Sequence, residues 1–485
     1  MTVHAGGVDP SSARTTEAVR RESDSLGAVD VPEAALWGAH TQRALGNFTV
    51  SGTPVGRHRD FVRALGLVKK AAAVTNAGLG LIPADVGQAI GQACDVVIRG
   101  DADSSFPVDV LQGGAGTSTN MNANEVVANL ALDSLGLPRG SYDRVHPIEH
   151  VNKCQSTNDV YPTALRLALQ FATAGLLERL DELSEAFAER GRVFAATPKV
   201  GRTELQDAVP MTLGQELTAF AVTLQEDRQR LREATALLRE CNLGATAIGT
   251  GITADPRYRE RVVAVLAGLS GVDLVPAADM IEATWDTGAF LLFSGVLKRT
   301  AMKLAKICND LRLLSSGPQT GLGEIRLPAL QAGSSIMPGK VNPVIPEMVN
   351  QVAFFVAGAD LTVTMAAENG QLQLNAFEPA IAHALLTAID WLGRGCAALD
   401  RLCVRGIEAN ESLLRERADA ASGWLTALVP LVGYAAAARL AHDAAGGDVL
   451  ELAVTEGLIG RHQADRLRAG APATTDATMS GGTRR

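Results

Sequence analysis

The sequence predicts an all-α fold built around a central bundle of long helices. Three observations lead there. Apolar residues recur at three- and four-residue spacing over long stretches, few runs show clean strand alternation, and 47% of the 485 residues are hydrophobic, enough for a large core and more than one domain.

The helical runs follow one another along the chain. Residues 164–195 (ALRLALQFATAGLLERLDELSEAFAERGRVFA) carry the period, as do 212–240, beginning TLGQELTAF, and 288–314, GAFLLFSGVLKRTAMKLAKICNDLRLL. Two more runs lie near 344–367 and 377–402. Each is roughly two to three times an average helix. Helices this long, and apolar over much of their circumference, need neighbours on several sides, which points to a bundle extended by other subunits. The ends differ: residues 1–15 and 470–485 are rich in Ala, Gly, Ser and Thr and are expected to be disordered tails.

Composition narrows the function. The net charge is -9, from 44 basic and 53 acidic residues, and aromatic residues make up 4%. Neither a phosphate-binding surface nor a base-stacking platform is expected, so nucleic acid is excluded as a partner. Residues 1–25 lack the apolar run of a signal peptide, and the longest apolar patches are interrupted by charges, so a cytoplasmic protein without membrane spans is expected. Six scattered cysteines, with no CxxC pair, read as reduced core thiols rather than disulfides or a metal site.

Between the helices lie four polar, Gly-rich segments: 112–120 (QGGAGTSTN), 155–159 (QSTND), 201–207 (GRTELQD) and 333–343 (GSSIMPGKVNP). Together they offer the hydroxyls of Thr117, Ser156, Thr157, Thr203, Ser334 and Ser335, the amides of Asn158 and Asn342, and the cation of Lys340. Neutral donors around one positive charge suit small carboxylates. Each segment alone is more often a turn than a site. Nucleotide binding fails on inspection, because there is no GxxxxGK(S/T) and GATAIGTG at 244–251 lacks a strand–GxGxxG–helix context. A serine hydrolase would want GxSxG, which is absent. None of the eight histidines lies within these loops. In 333–343, Gly333 and Gly339 permit movement while Pro338 and Pro343 restrict it, as suits a loop that closes over a substrate. An ordinary surface turn is the alternative.

GSSIMPGKVNP resembles the signature of the aspartase/fumarase superfamily. The resemblance extends over LWGAHTQRALGNF (36–48), QGGAGTSTNMNANEVVAN (112–129), VNKCQSTNDVYPTA (151–164), GRTELQDAVPMTLGQE (201–216), LGATAIGTGI (243–252), KICNDLRLLSSGP (306–318) and MAAENGQLQLNAFEP (365–379), leaving only the tails outside. Within the superfamily the aspartate ammonia-lyase family is the nearer match, and class II fumarases are more distant.

The resemblance implies a carbon–nitrogen lyase that reversibly eliminates ammonia from L-aspartate to give fumarate, without cofactor or metal. It implies three domains, 1–153, 154–411 and 412–485, and a homotetramer whose central domains form a twenty-helix core. Each active site would draw on three subunits. Ser334 matches the base that takes the C3 proton. Thr117, Ser156, Thr157 and Ser335 match donors to the β-carboxylate; Thr203, Lys340 and Asn342 match the grip on the α-carboxylate. Asn158 matches a residue near the leaving group and Arg43 one implicated in carboxylate recognition. His146 matches part of a secondary anion site, and Glu347 the partner of the family's histidine.

One position departs. Where GRTxLQD carries His in fumarases and Gln or His in aspartases, this chain has Glu204. Glu204 could help hold an ammonium, or accommodate a different nitrogen leaving group from an N-substituted aspartate. Fumarate hydratase, or an inactive homologue acting as a binding or assembly partner, are the remaining readings. A Glu204–Glu347 pair would share protons. Trp285 and Trp424 also stand where smaller or more polar residues are usual, through local repacking or by reshaping the pocket.

Overall fold

The computed structural model describes residues 18–421, 423–444 and 447–468. The two expected tails, 1–15 and 470–485, lie outside the described residues. The fold is mostly helical. A hairpin of β1 (Val19–Asp24) and β2 (Gly27–Pro32) precedes α1 (Ala39–Asn47), α2 (Arg59–Gly78), α3 (Ala84–Arg99) and α4 (Thr117–Ser134). The longest helix, α5 (Thr157–Val193), leads into the hairpin β3 (Pro198–Thr203) and β4 (Gln206–Thr212) and then α6 (Leu213–Ala236). Further on come α7 (Pro256–Ser270), α8 (Glu282–Trp285), α9 (Gly288–Leu314), α10 (Val344–Glu368) and α11 (Glu378–Leu402). Shorter helices follow, among them α12 (Glu411–Asp419) and α13 (Trp424–Val432). All five expected long runs are helices.

The chain forms two compact units, whose boundaries fall inside α5, α6, α9, α10 and α11. The first comprises the chain up to Ala172 with Thr235–Leu292 and Leu361–Thr387; the second comprises Thr173–Ala234, Phe293–Asp360 and the chain from Ala388 on.

In the first unit, α2 packs against α3 and α7, and α3 against α4. Helix α4 is buried over most of its surface, including the polar Asn122, Asn124, Glu125 and Asn129. A buried carboxylate needs donors, and Glu125 finds three: the backbone N–H groups of Gly38, His40 and Thr41, at the start of α1. The side chain thus caps α1, whose own N-cap, Gly38, has none to offer. Burial still holds Glu125 above the ordinary glutamate range.

In the second unit the β3–β4 hairpin stands on buried Glu324, which pairs with Lys199 at 3.0 Å and Arg202 at 2.6 Å. Burial works against ionisation there, but the two cations outweigh it and hold the carboxyl below its ordinary range. The C-terminal helices pack on the same hairpin: Val200 shares a core with Trp424, Leu428 and Leu440. Trp424 is buried and its Nε1 donates to Ala418 O at 2.5 Å, so it fills the core rather than lining a pocket. Trp285, on α8, is 44% exposed.

All six cysteines are buried and unpaired, as reduced core thiols. Helix α10 is long and apolar enough to cross a membrane by length and composition, although Asp360 interrupts its apolar run, and much of its apolar surface is left uncovered within the chain.

Candidate active site

The expected site residues fall in two groups, one in each unit. In the first, segment 112–120 winds through three successive positive φ angles, at Gly114, Ala115 and Gly116. Only glycine fits at 116, since a Cβ there would lie 2.2 Å from the Tyr161 ring. The turn delivers Thr117 to the first position of α4, where its Oγ1 donates to Gly114 O at 2.7 Å. Gln112 reaches forward, its Oε1 accepting from the N–H and hydroxyl of Thr119 at 3.0 Å each.

Segment 155–159 starts α5 as a capping box. Asn158 N–H donates to Ser156 Oγ at 3.2 Å, and Ser156 N–H donates to Asp159 Oδ1 at 3.0 Å. Thr157 is thereby fixed on the first helical turn, between two braced residues. Pro162 lies inside the helix and has no N–H for the carbonyl four residues back. That carbonyl, of Asn158, accepts instead from Asn242 Nδ2 at 3.0 Å. Asn158 Nδ2 donates to Ala247 O at 2.7 Å, and Asp159 Oδ2 accepts from Gly244 N at 3.2 Å and Thr246 N at 2.8 Å. The Gly-rich 243–252 segment therefore braces this turn. Asp159 is fully buried; burial pushes its carboxyl up to about 7, against the pull of three backbone N–H groups and of Lys69.

Lys69, on α2, is wholly buried behind this turn. Its ammonium donates to Asn120 Oδ1 at 2.6 Å, Gln155 Oε1 at 2.9 Å and Asn152 Oδ1 at 3.0 Å. Burial pulls its pKa down to about 7, and Asp159 and Cys94 oppose that. Sequence reasoning passed over Lys69. The signal was a lysine in line with the buried Leu65 and Ala73 on an otherwise apolar helix face.

Arg43 and His146 are engaged elsewhere in this unit. Arg43 pairs with Asp24 through Nε at 2.8 Å and Nη2 at 3.0 Å, and Nη2 also donates to Gly27 O at 2.9 Å. The guanidinium holds Asp24 below the usual carboxylate range. His146 Nδ1 accepts from the N–H groups of Ile148 and Glu149, at 3.0 and 3.1 Å, capping the π-helical turn Pro147–Val151. Arg43 is thus tied to Asp24, whereas the His146 ring acts only as an acceptor within its own turn.

In the second unit, Ser334, Ser335, Lys340 and Asn342 share one loop closed at its base. Gly333 N–H donates to Lys340 O at 2.8 Å, and Asn342 Nδ2 donates to Gly333 O at 2.7 Å. A Cβ on Gly333 would lie 2.3 Å from Lys340 O, so glycine is required for the closure. The Ser334 Oγ accepts from the N–H groups of Ile336 and Met337, at 3.1 and 3.0 Å. Lys340 is exposed and forms no ion pair among the described residues. Glu347 follows in the first turn of α10. Thr203 ends β3, and Glu204 and Leu205 form the two-residue hairpin turn, with φ of 53° and 64°. Such turns ordinarily carry Asn or Gly; a Glu-Leu pair held there marks strain of the kind found at functional sites. Both residues are exposed.

A family model described as Lyase matches residues 27–358. An aspartate ammonia-lyase of Pseudomonas canavaninivorans is 57% identical over 443 residues, covering 91% of this chain and 94% of that protein. The chain belongs to the aspartase/fumarase superfamily. It is a carbon–nitrogen lyase. An aspartate ammonia-lyase of Escherichia coli K12 is 50% identical, over 86% of this chain and 87% of that protein. Among solved structures, a fumarate lyase:delta crystallin from Brucella melitensis, bound to cobalt, matches this superfamily member with a TM-score of 0.89 at 55% identity, over 93% of this chain and 98% of that one. A class II fumarase from Schistosoma mansoni matches with a TM-score of 0.84 at 35% identity, over 94% and 98%.

Proposed function

We propose that the protein reversibly converts L-aspartate to fumarate and ammonia, with Ser334 as the base. The observation that carries the reading is identity of 50–57% to aspartate ammonia-lyases over most of the chain. The geometry of the signature loop supports the rest. Serine is a weak base unless its oxyanion is stabilised. The two backbone N–H groups aimed at Ser334 Oγ supply that stabilisation, and Lys340 adds a charge in the same loop.

Removing the C3 proton leaves two negative charges on the β-carboxylate. Hydroxyl donors at Ser156, Thr157 and Ser335, held by a capped helix start and a closed loop, stabilise that charge by several kcal/mol, and Thr117 joins them by turning its hydroxyl away from Gly114 O. Thr203, Lys340 and Asn342 grip the α-carboxylate, Asn158 and Glu204 face the departing nitrogen beside Glu347, and Arg43 and His146 support binding from outside the reacting centre. Glu204, as a carboxylate where the resemblance has Gln or His, favours a cationic leaving group. The same residue supports a second reading, a substituted amine in place of ammonia.

The working form is a cytoplasmic homotetramer of three-domain subunits, 1–153, 154–411 and 412–485, with sites built by three subunits. Five long helices from each of four subunits make the twenty of the shared core. The apolar, incompletely covered α10 supports this: Phe354 is 64% exposed, and Leu361 and Met365 60% each. Ser334→Ala tests the base directly. Turnover of aspartate should fall to a small residue while helicity and the unfolding midpoint stay put; near-normal turnover would mean another base.

A further inference from the structure

We propose that buried Lys69 is a positioning residue that turns Thr157 into an obligate hydrogen-bond donor, acting through the amide of Asn120. The inference rests on the reading of Thr157 as a carboxylate donor.

An ammonium can only donate, so whatever faces Lys69 Nζ must accept. Three amide oxygens do so, from Asn120, Asn152 and Gln155. Two of these amides are oriented independently of the lysine. Gln155 Nε2 is committed to Val151 O and Lys153 O, and Asn152 Nδ2 to Gln155 O. Their oxygens are therefore left to face Lys69. The third amide, of Asn120, has no such backbone anchor and is oriented chiefly by the ammonium, whose contact at 2.6 Å is shorter than the amide's own at 3.2 Å to Asn152 Oδ1. With Oδ1 held at 2.6 Å from Nζ, Asn120 Nδ2 must point the other way, and it donates to Thr157 Oγ1 at 3.1 Å and to Asn152 Oδ1 at 3.2 Å.

The consequence falls on Thr157. Its oxygen already receives a hydrogen bond, so the hydroxyl proton is directed away from Asn120. No acceptor for that proton is present among the described residues, and it is free for a substrate carboxylate. Lys69, Asn120 and Thr157 are each at least nine-tenths buried, so water does not scramble the amide's orientation. The titratable groups facing Lys69 are Asp159 and Cys94.

The test is a set of variants assayed on L-aspartate. Asn120→Asp replaces the donor facing Thr157 with an acceptor while keeping a partner for Lys69. The Thr157 proton then turns inward. We expect KM to rise about tenfold or more with no fall in the unfolding midpoint. A purely structural role would instead reduce the active fraction, lowering kcat at unchanged KM. Lys69→Met should raise KM similarly, and in a Thr157→Val background it should add little, since the relay has lost its end point. If Thr157→Val itself leaves KM unchanged, the reading of Thr157 fails and the inference with it. If Thr157→Val raises KM while Asn120→Asp does not, the relay alone is overturned. Should Lys69→Met fail to fold, Asn120→Asp still decides.

Discussion

Gly116→Ala probes the junction on which the β-carboxylate donors are proposed to depend. Gly116 has a φ of 87°, and an added Cβ would meet Tyr161 at 2.2, 2.4 and 2.8 Å. Tyr161 has nowhere to retreat: it is buried on α5 and packed edge-on against Phe61 at 4.9 Å between ring centroids. Restoring ordinary contact requires a displacement of more than an ångström. The left-handed backbone costs about 1–2 kcal/mol for an L-residue and the overpacking about 1–3 kcal/mol, so a loss of roughly 2–5 kcal/mol is expected. Thr117 is the next residue, and Thr157 lies one helical turn before Tyr161. A shift of that size misplaces catalytic donors at a cost of about 100-fold in rate. Gly113→Ala is the control, because its Cβ would meet only Phe48, at 3.9 Å. The assay is kcat/KM on aspartate with thermal unfolding. If the two variants behave alike, Gly116 does not hold the junction and the argument fails.

Lys340→Ala should raise KM for aspartate more than it lowers kcat, since it removes the cation assigned to the α-carboxylate; an unchanged KM contradicts that role. Glu378 makes a pH prediction: burial pushes its carboxyl up to about 8 from the ordinary 4.5, against the attraction of Arg166. Its contribution to stability is fully present below about pH 4.5 and is lost as the pH rises toward 8, by at most roughly 5 kcal/mol. Glu378→Gln should therefore gain midpoint relative to the wild type across that window, and parallel curves would refute it. Light scattering with activity measurements on separated species should find activity in the tetramer alone; an active monomer would end the shared-site proposal.

Most of the helical architecture was legible because long helices repeat their apolar spacing many times, and 288–314 and α9 agree at both ends. Helix α5 starts seven residues before its pattern, at Thr157 rather than 164, because it opens on polar residues and carries Pro162 in its second turn. Capping by Ser156 and Asp159 fixes that start, a local signal that periodicity does not register. The β3–β4 hairpin escaped because a Glu-Leu turn at positive φ contradicts the turn rules. The candidate loops were legible as polar, Gly-rich segments. What holds them was not, because Lys69, Asn120 and Gln155 are far apart in sequence and meet only through packing. Arg43 could not be known to pair with Asp24, nor His146 to cap its own turn, for the same reason.

The most direct measurement of the central claim is product analysis. The purified wild-type protein is incubated with L-aspartate, fumarate and ammonium are quantified together, and the reverse reaction is run on fumarate with ammonia and a panel of amines. The account predicts fumarate and ammonium in equal amounts, and aspartate as the adduct from ammonia. Absence of fumarate from aspartate, with an N-substituted aspartate formed only from one of the amines, would contradict it.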